Sequence, residues 1–240
     1  MSFSFIFQGQ DFPAVDNSTD EGLLAIGGDL STKRLLRAYS LGIFPWYSED
    51  DPIMWWSPNP RMVIKPNDFK PSKSLRKLLR DRNYQVKIDY KFEEVISACA
   101  SNIRKDQDGT WITNELKAAV IRLHQLGFAH SFEIYIDNEL VGGLYGLSLG
   151  KVFFGESMFH KVSNASKLAF YELTKFLKQH DFELIDAQQE TTHLRSLGAY
   201  PVDRSYFLSL LKEYISAPTL RGNWGCGGGA AYEALSFEAF

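Results

Sequence analysis

The stretch from residue 130 to residue 159 constrains this chain most. It reads with the period and composition of strands, and turn residues interrupt it at Asp137-Asn138 and at Gly150. Side chains leave a strand on alternate faces, so 130–136, 140–149 and 151–159 read as an antiparallel meander joined by tight turns. The period then changes. Asn164 or Ser166 starts a long amphipathic helix to about residue 180, 184–188 reads as one more strand, and a last helix spans about 204–215. Strands in a meander, a helix and a further strand build a layered α/β core.

This order is that of the acetyltransferase-like (GNAT-like) fold, with a mixed, mainly antiparallel sheet. The chain of 240 residues, 45% of them hydrophobic, is long enough to add a second small unit to that core. The reading is therefore α/β (α+β): a small N-terminal α/β domain over 1–62, the acetyltransferase-like domain over 63–221 and a flexible Gly-rich tail over 222–240. In the first of these, Ser31 caps a helix that Gly42 closes. A Trp- and Pro-dense loop follows, in which proline stiffens the backbone while rings stay exposed. Ser72 or Ser74 opens a basic helix to about residue 83, another helix lies near 91–100, and Thr113 caps one that ends at Gly127.

Two strands carry polar groups where buried strands carry apolar ones. They are Gly155-Glu156-Ser157-Met158-Phe159 and Leu184-Ile185-Asp186-Ala187-Gln188. A buried carboxylate is costly unless it is paired or used. Period two puts Asp186 and Gln188 on one face, and Glu156 and Met158 on another, with Ala187 pointing away from the Asp186 face. Asp186 either pairs with a neighbouring basic group or serves a reaction, and Glu156 either answers Lys161 or Lys167 or does the same. The reaction that suits them is aminolysis of an ester. An α-amino group with a pKa of about 8 must lose a proton before attack, a carboxylate can orient it and help remove that proton, and an amide can hold the nucleophile or the developing oxyanion. The sequence contains no Ser-His-Asp or Cys-His arrangement, and its five His lack metal-ligand spacing, so neither a covalent nor a zinc mechanism is expected.

Charge points to the acyl donor. Residues 61–91 hold ten Lys or Arg against three Asp, a local +7 in a chain whose net charge is −3. Such a patch on an acidic protein implies a polyanion bound in one place. Lys73, Arg76, Lys77, Arg80 and Arg82 could hold phosphates of a structured RNA or be a solvated helix face. Trp46 and Trp111 are either core or platforms for unpaired bases. The turn at 160–166 contains no glycine, unlike the turn that cradles coenzyme A in ordinary acetyltransferases, so another donor is expected. Two cysteines make no disulfide framework, the N-terminus has no signal-peptide pattern, and no apolar run reaches the ~20 residues of a membrane span. These features point to a reduced, cytoplasmic protein with no membrane partner.

An ordered set of motifs resembles one family. Gly27-Gly28-Asp29-Leu30-Ser31, Gly42-Ile43-Phe44-Pro45-Trp46 and Trp55-Trp56-Ser57-Pro58-Asn59-Pro60-Arg61 resemble the N-terminal signatures of the leucyl/phenylalanyl-tRNA–protein transferases. Gly109-Thr110-Trp111-Ile112-Thr113, Phe154-Gly155-Glu156-Ser157-Met158-Phe159, Asn164-Ala165-Ser166-Lys167 and Ser196-Leu197-Gly198-Ala199 continue the match in order. The resemblance implies a monomeric enzyme without cofactor or metal. It would move leucine or phenylalanine, and less readily methionine, from aminoacyl-tRNA to the N-terminal Arg or Lys of an acceptor protein, marking it for degradation. It also implies roles: Asp186, Gln188 and Glu156 catalytic; Trp46, Trp111 and Tyr39 around the 3′-terminal adenosine; Leu144, Phe153, Met158 and Leu173 in the amino-acid pocket. The rivals are an acetyl-CoA enzyme, a tRNA-dependent transferase acting on a cell-wall peptide, and a tRNA-binding module without activity.

Overall fold

The structure is a computed structural model that describes residues 3–81, 83–101 and 111–226. Its first sheet is small: β1 (Ser4–Ile6), β2 (Leu23–Gly27), β3 (Phe44–Pro45) and β4 (Met54–Trp56), in the order β1-β2-β4-β3, with α1 (Thr32–Ser40) between β2 and β3. Ser31 Oγ accepts from the Arg34 N–H at 3.3 Å, and Gly42 leaves the helix at φ +72°, as the sequence predicts. The chain then enters a seven-stranded sheet through β5 (Arg61–Ile64). It continues with α2 (Lys73–Asp81), β6 (Gln85–Ile88), α3 (Phe92–Ala100), α4 (Asn114–Gln125), β7 (Ala129–Ile136), β8 (Glu139–Leu149), β9 (Val152–His160), α5 (Ala165–Gln179), β10 (Leu184–Gln188), α6 (Thr192–Ser196), β11 (Tyr200–Val202) and α7 (Arg204–Tyr214).

The large sheet runs β11-β5-β10-β9-β8-β7-β6. Each pair is antiparallel except β9 with β10, which the crossover helix α5 makes parallel. The meander, helix and parallel strand thus follow the expected acetyltransferase-like order. Thr113 caps α4 by accepting from Leu116 N–H, and Ser72, not Ser74, accepts from Leu75 N–H at the head of α2. Asp137 and Asn138 take positive φ in the β7–β8 turn. At Gly150, φ +54°, an added Cβ would lie 2.3 Å from the Tyr214 carbonyl oxygen, so only glycine fits.

One face of the large sheet buries Tyr145, Leu147, Phe154 and Leu184 in a core continuous with the small sheet's Leu24, Leu35, Tyr39 and Trp55. The other buries Phe132, Leu144, Phe153 and Ile185 under Leu168, Leu173 and Leu177 of α5. Arg61 and Met62 belong to β5 and so to the large sheet, although they precede the expected boundary. The expectation of a flexible tail from Gly222 is overturned for 222–226. Trp224 is buried, its ring stacked on His130 with centroids 3.5 Å apart. Residues 227–240, Arg82, Gly109 and Thr110 lie outside the described residues.

Candidate active site

Two β-bulges lie side by side on neighbouring strands. In β8–β9, Tyr145 pairs with Ser157 and Gly146 with Gly155, which leaves Glu156 as the extra residue. In β10–β5, Asp186 pairs with Val63 and Gln188 with Met62, which leaves Ala187 extra. A bulge re-aims the side chains around it, and here Gln188 takes φ +61°. Gln188 Nε2–H donates to Glu156 Oε1 at 2.8 Å, and the Tyr39 hydroxyl donates to the same oxygen at 2.9 Å. Both of these bonds fall on one carboxylate oxygen, Oε1. Burial raises the Glu156 carboxyl to about 7. The two donors oppose that rise, as does the Arg61 charge, and the Asp186 charge adds to it.

Glu156 and Gln188 stand in the wall of a cavity of about 620 Å³. The four residues expected to form an amino-acid pocket, Leu144, Phe153, Met158 and Leu173, all line it, joined by Phe170 and Ile185. Trp46 and Trp111 line it too. Trp46 meets Trp56 edge to face at 5.5 Å, and its carbonyl accepts the Trp56 indole N–H at 2.7 Å, which holds the ring at the cavity wall. Ser157, Ser166, His160, Thr191 and His193 add polar groups, and the His193 imidazole lies 3.3 Å from the Met158 sulfur. Among the described residues, no group of three His, Cys, Asp or Glu is placed to hold a metal ion.

Two expected residues stand elsewhere. Tyr39 is only 1% exposed and packs edge to face on Phe154. It therefore serves Glu156 from the core and does not line the cavity. Burial, with the Glu156 charge, keeps its hydroxyl protonated well above the usual range. Asp186 is fully buried and makes two bonds to Arg61, Nε–Oδ1 at 2.8 Å and Nη2–Oδ2 at 2.6 Å. Arg61 lies between the rings of Phe44 and Phe207, its guanidinium carbon 4.9 and 4.7 Å from their centroids. The pairing alternative for Asp186 is the one observed. Its carboxylate does not line this cavity, whereas the Gln188 side chain does, because the bulge between them breaks the period-two rule. It accepts the Gln188 backbone N–H at 2.9 Å, so it fixes the strained turn that presents Gln188. Ala187, facing away from Asp186, lines the cavity.

Sequence reasoning missed Arg61, Phe170, Ile185 and Tyr145 at or beneath this site. Arg61 stands in the sequence only as a member of the basic patch and the end of the Trp55–Arg61 motif, and its burial depends on a partner 125 residues away. The rest of that patch behaves differently. Lys73, Arg76, Lys77 and Arg80 are exposed on α2, which is anchored by Leu75 and packs on α5. Among the described residues none of these four joins an ion pair.

Fold and site together describe an acetyltransferase-like α/β domain with a carboxylate–amide pair in the wall of a largely apolar cavity. Residues 63–212 match the model of the leucyl/phenylalanyl-tRNA protein transferase family, and residues 28–59 match that of its N-terminal domain. The chain belongs to this family. A relative from Desulfatibacillum aliphaticivorans, named leucyl/phenylalanyl-tRNA–protein transferase, is 56% identical over 214 residues, 89% of this chain and 91% of its own. One of the same name from Syntrophus aciditrophicus (strain SB) is 52% identical over 213 residues, 89% of each chain. Among solved structures, an aminoglycoside acetyltransferase from a soil metagenome covers 56% of this chain and 88% of its own, at 14% identity and a TM-score of 0.36.

Proposed function

We propose that this protein transfers leucine or phenylalanine, and less readily methionine, from aminoacyl-tRNA to the α-amino group of an N-terminal Arg or Lys on an acceptor protein, which marks that protein for degradation. The observation that carries the reading is the Glu156–Gln188 pair, joined at 2.8 Å in the wall of a largely apolar cavity. The aminoacyl side chain enters among Leu144, Phe153, Met158 and Leu173. Such a wall selects by size, where one methylene is worth only about 1–3 kcal/mol, so several apolar donors are accepted. The terminal adenosine stacks at Trp46 and Trp111, and α2 holds the tRNA backbone.

The reaction forms a C–N bond and breaks the ester C–O bond. The acceptor amine loses a proton, and the tRNA ribose oxygen leaves and takes one up. Glu156, raised to about 7 by burial, lines the cavity and titrates near neutrality. It draws in an ammonium group and can receive its proton. Gln188 gives one Nε2–H to Glu156, which leaves its carbonyl and its second N–H for the attacking amine or the developing oxyanion. Asp186 touches neither substrate in this reading. It acts as a positioning residue through the Gln188 backbone.

We place the enzyme in the cytoplasm as a monomer without cofactor. Among the described residues no helix is long and apolar enough to cross a membrane. The deciding experiment follows labelled leucine from Leu-tRNA to a protein beginning with Arg, beside the same protein beginning with Ala. Label on the Arg protein alone is the expected result, and label on neither overturns the reading.

A further inference from the structure

The C-terminal segment past the family-model match packs against the back of the cavity. From Thr219 onward it is tied down residue by residue. Thr219 Oγ1 accepts the Gly150 N–H at 2.8 Å, and the Arg221 guanidinium donates to the Leu126 carbonyl at 2.8 Å while lying over the Phe128 ring. Asn223 Nδ2 donates to the Asp89 carbonyl at 3.1 Å. The Trp224 N–H donates to Asp89 Oδ2 at 2.9 Å, and its indole N–H to the Leu220 carbonyl at 3.1 Å.

The Trp224 ring is clamped on both faces. His130 stacks on it at 3.5 Å and 7°, and Phe176 of α5 stacks at 4.7 Å and 21°. His130 is itself fixed, because its Nδ1 lies 2.8 Å from Asp89 Oδ2, while Asp89 Oδ1 accepts the Ser131 N–H at 2.8 Å. Burial lowers the pKa of His130 and favours the neutral ring, which donates from Nδ1.

What this clamp touches next is the cavity wall. The Phe153 ring, which lines the cavity, lies 6.2 Å from Trp224 at a tilt of 42°. Phe153 rests over Gly146, where an added Cβ would sit 2.2 Å from the Phe154 carbonyl oxygen and 2.6 Å from Phe153 ring atoms, so glycine leaves room for both. The Phe153 ring is thus fully buried, with Gly146 and Trp224 both among its neighbours.

We propose that Trp224 is a positioning residue for donor selection, holding Phe153 in the wall of the cavity and so limiting the space open to the amino-acid side chain. This rests on the transfer reaction proposed above. Its test compares kcat/KM for Phe-tRNA and Leu-tRNA in the wild type, in Trp224→Ala and in Trp224→Phe. A space larger by about one methylene or more should raise the Phe-to-Leu ratio of Trp224→Ala about tenfold. Trp224→Phe should move it the same way but less. In a Phe153→Leu background the Trp224→Ala change should leave the ratio where it was, as coupling through Phe153 requires.

A ratio unchanged in Trp224→Ala, with both rates falling alongside Tm, would make Trp224 a core residue only and overturn the proposal. Should Trp224→Ala not fold, Trp224→Phe and Trp224→Leu carry the same comparison. A wild type inactive with both donors overturns the reaction and this proposal together, whereas an active wild type with a flat ratio across the variants overturns this proposal alone.

Discussion

Glu156 concentrates the pH behaviour of the site in one side chain. Its carboxyl is raised from 4.5 to about 7 by burial, so protonation is the resting state in mild acid and ionisation sets in near neutrality. Transfer should therefore climb as pH rises through about 7, and a second rise belongs to the acceptor amine near 8. Glu156→Gln should remove the first rise, keep the second, and lower kcat by roughly 10²-fold; kcat against pH from 5.5 to 8.5 reads both effects. The stability effect has the same origin. The folded pKa lies above the unfolded one, so the folded state binds the extra proton. The stabilisation is full below about 4.5 and is lost as pH rises through about 7. The Gln variant carries no such loss, and its Tm should gain on the wild type between pH 5 and pH 8. Equal Tm profiles would show that Glu156 titrates normally.

Between elements, the Arg61–Asp186 pair joins β5 to β10 where the second bulge begins. Removing one partner strands a buried charge, so Asp186→Ala should cost about 3–5 kcal/mol in urea unfolding. Arg61→Met with Asp186→Leu should recover most of that stability without recovering transfer, because nothing then holds the Gln188 backbone. Recovery of both would deny Asp186 its positioning role. Helix α2 is tested by salt. Replacing Lys73, Arg76 and Lys77 by Ala should reduce the slope of log K against log salt for tRNA by about 2–3 if each neutralises a phosphate, and an unchanged slope would leave them as ordinary surface.

These elements also mark what the sequence could reveal. The meander, its turns and the caps at Ser31 and Thr113 were legible because each is specified within a few neighbouring residues. The strands of the small sheet were not, being two to five residues long and defined by pairing with distant partners. The expectation for Leu144, Phe153, Met158 and Leu173 comes from the family resemblance, and all four line the cavity. The fates of Asp186 and Tyr39 were not legible, since one depends on a bulge that breaks the alternation and the other on a bond spanning 117 residues.

At the scale of the molecule, the small and large sheets share one core, and their mutual ties meet at the site. Tyr39 of α1 reaches Glu156, and the core around Leu24, Leu35 and Trp55 continues into Tyr145 and Phe154 without a break. Helix α7 closes the other side: Arg204 donates to the Ser57 carbonyl at 2.7 Å and to the Ser18 hydroxyl, and its backbone N–H donates to Asn59 Oδ1 at 3.0 Å. A cavity carboxyl whose second partner comes from α1, packed on the small sheet, keeps its bonding only while both sheets are docked, so the two should unfold as one unit. Trp46, Trp55 and Trp56 belong to the small sheet and its flanking loop, while far-UV ellipticity is dominated by the large sheet and its helices. In Trp224→Phe, fluorescence then reports chiefly on the small side, and its urea transition should coincide with that followed by ellipticity. Arg204→Ala should move both midpoints down together. If fluorescence instead changed first and ellipticity later, the sheets would be separable domains. Glu156 would then lose its Tyr39 bond, and transfer would fail at the urea concentration of the earlier transition.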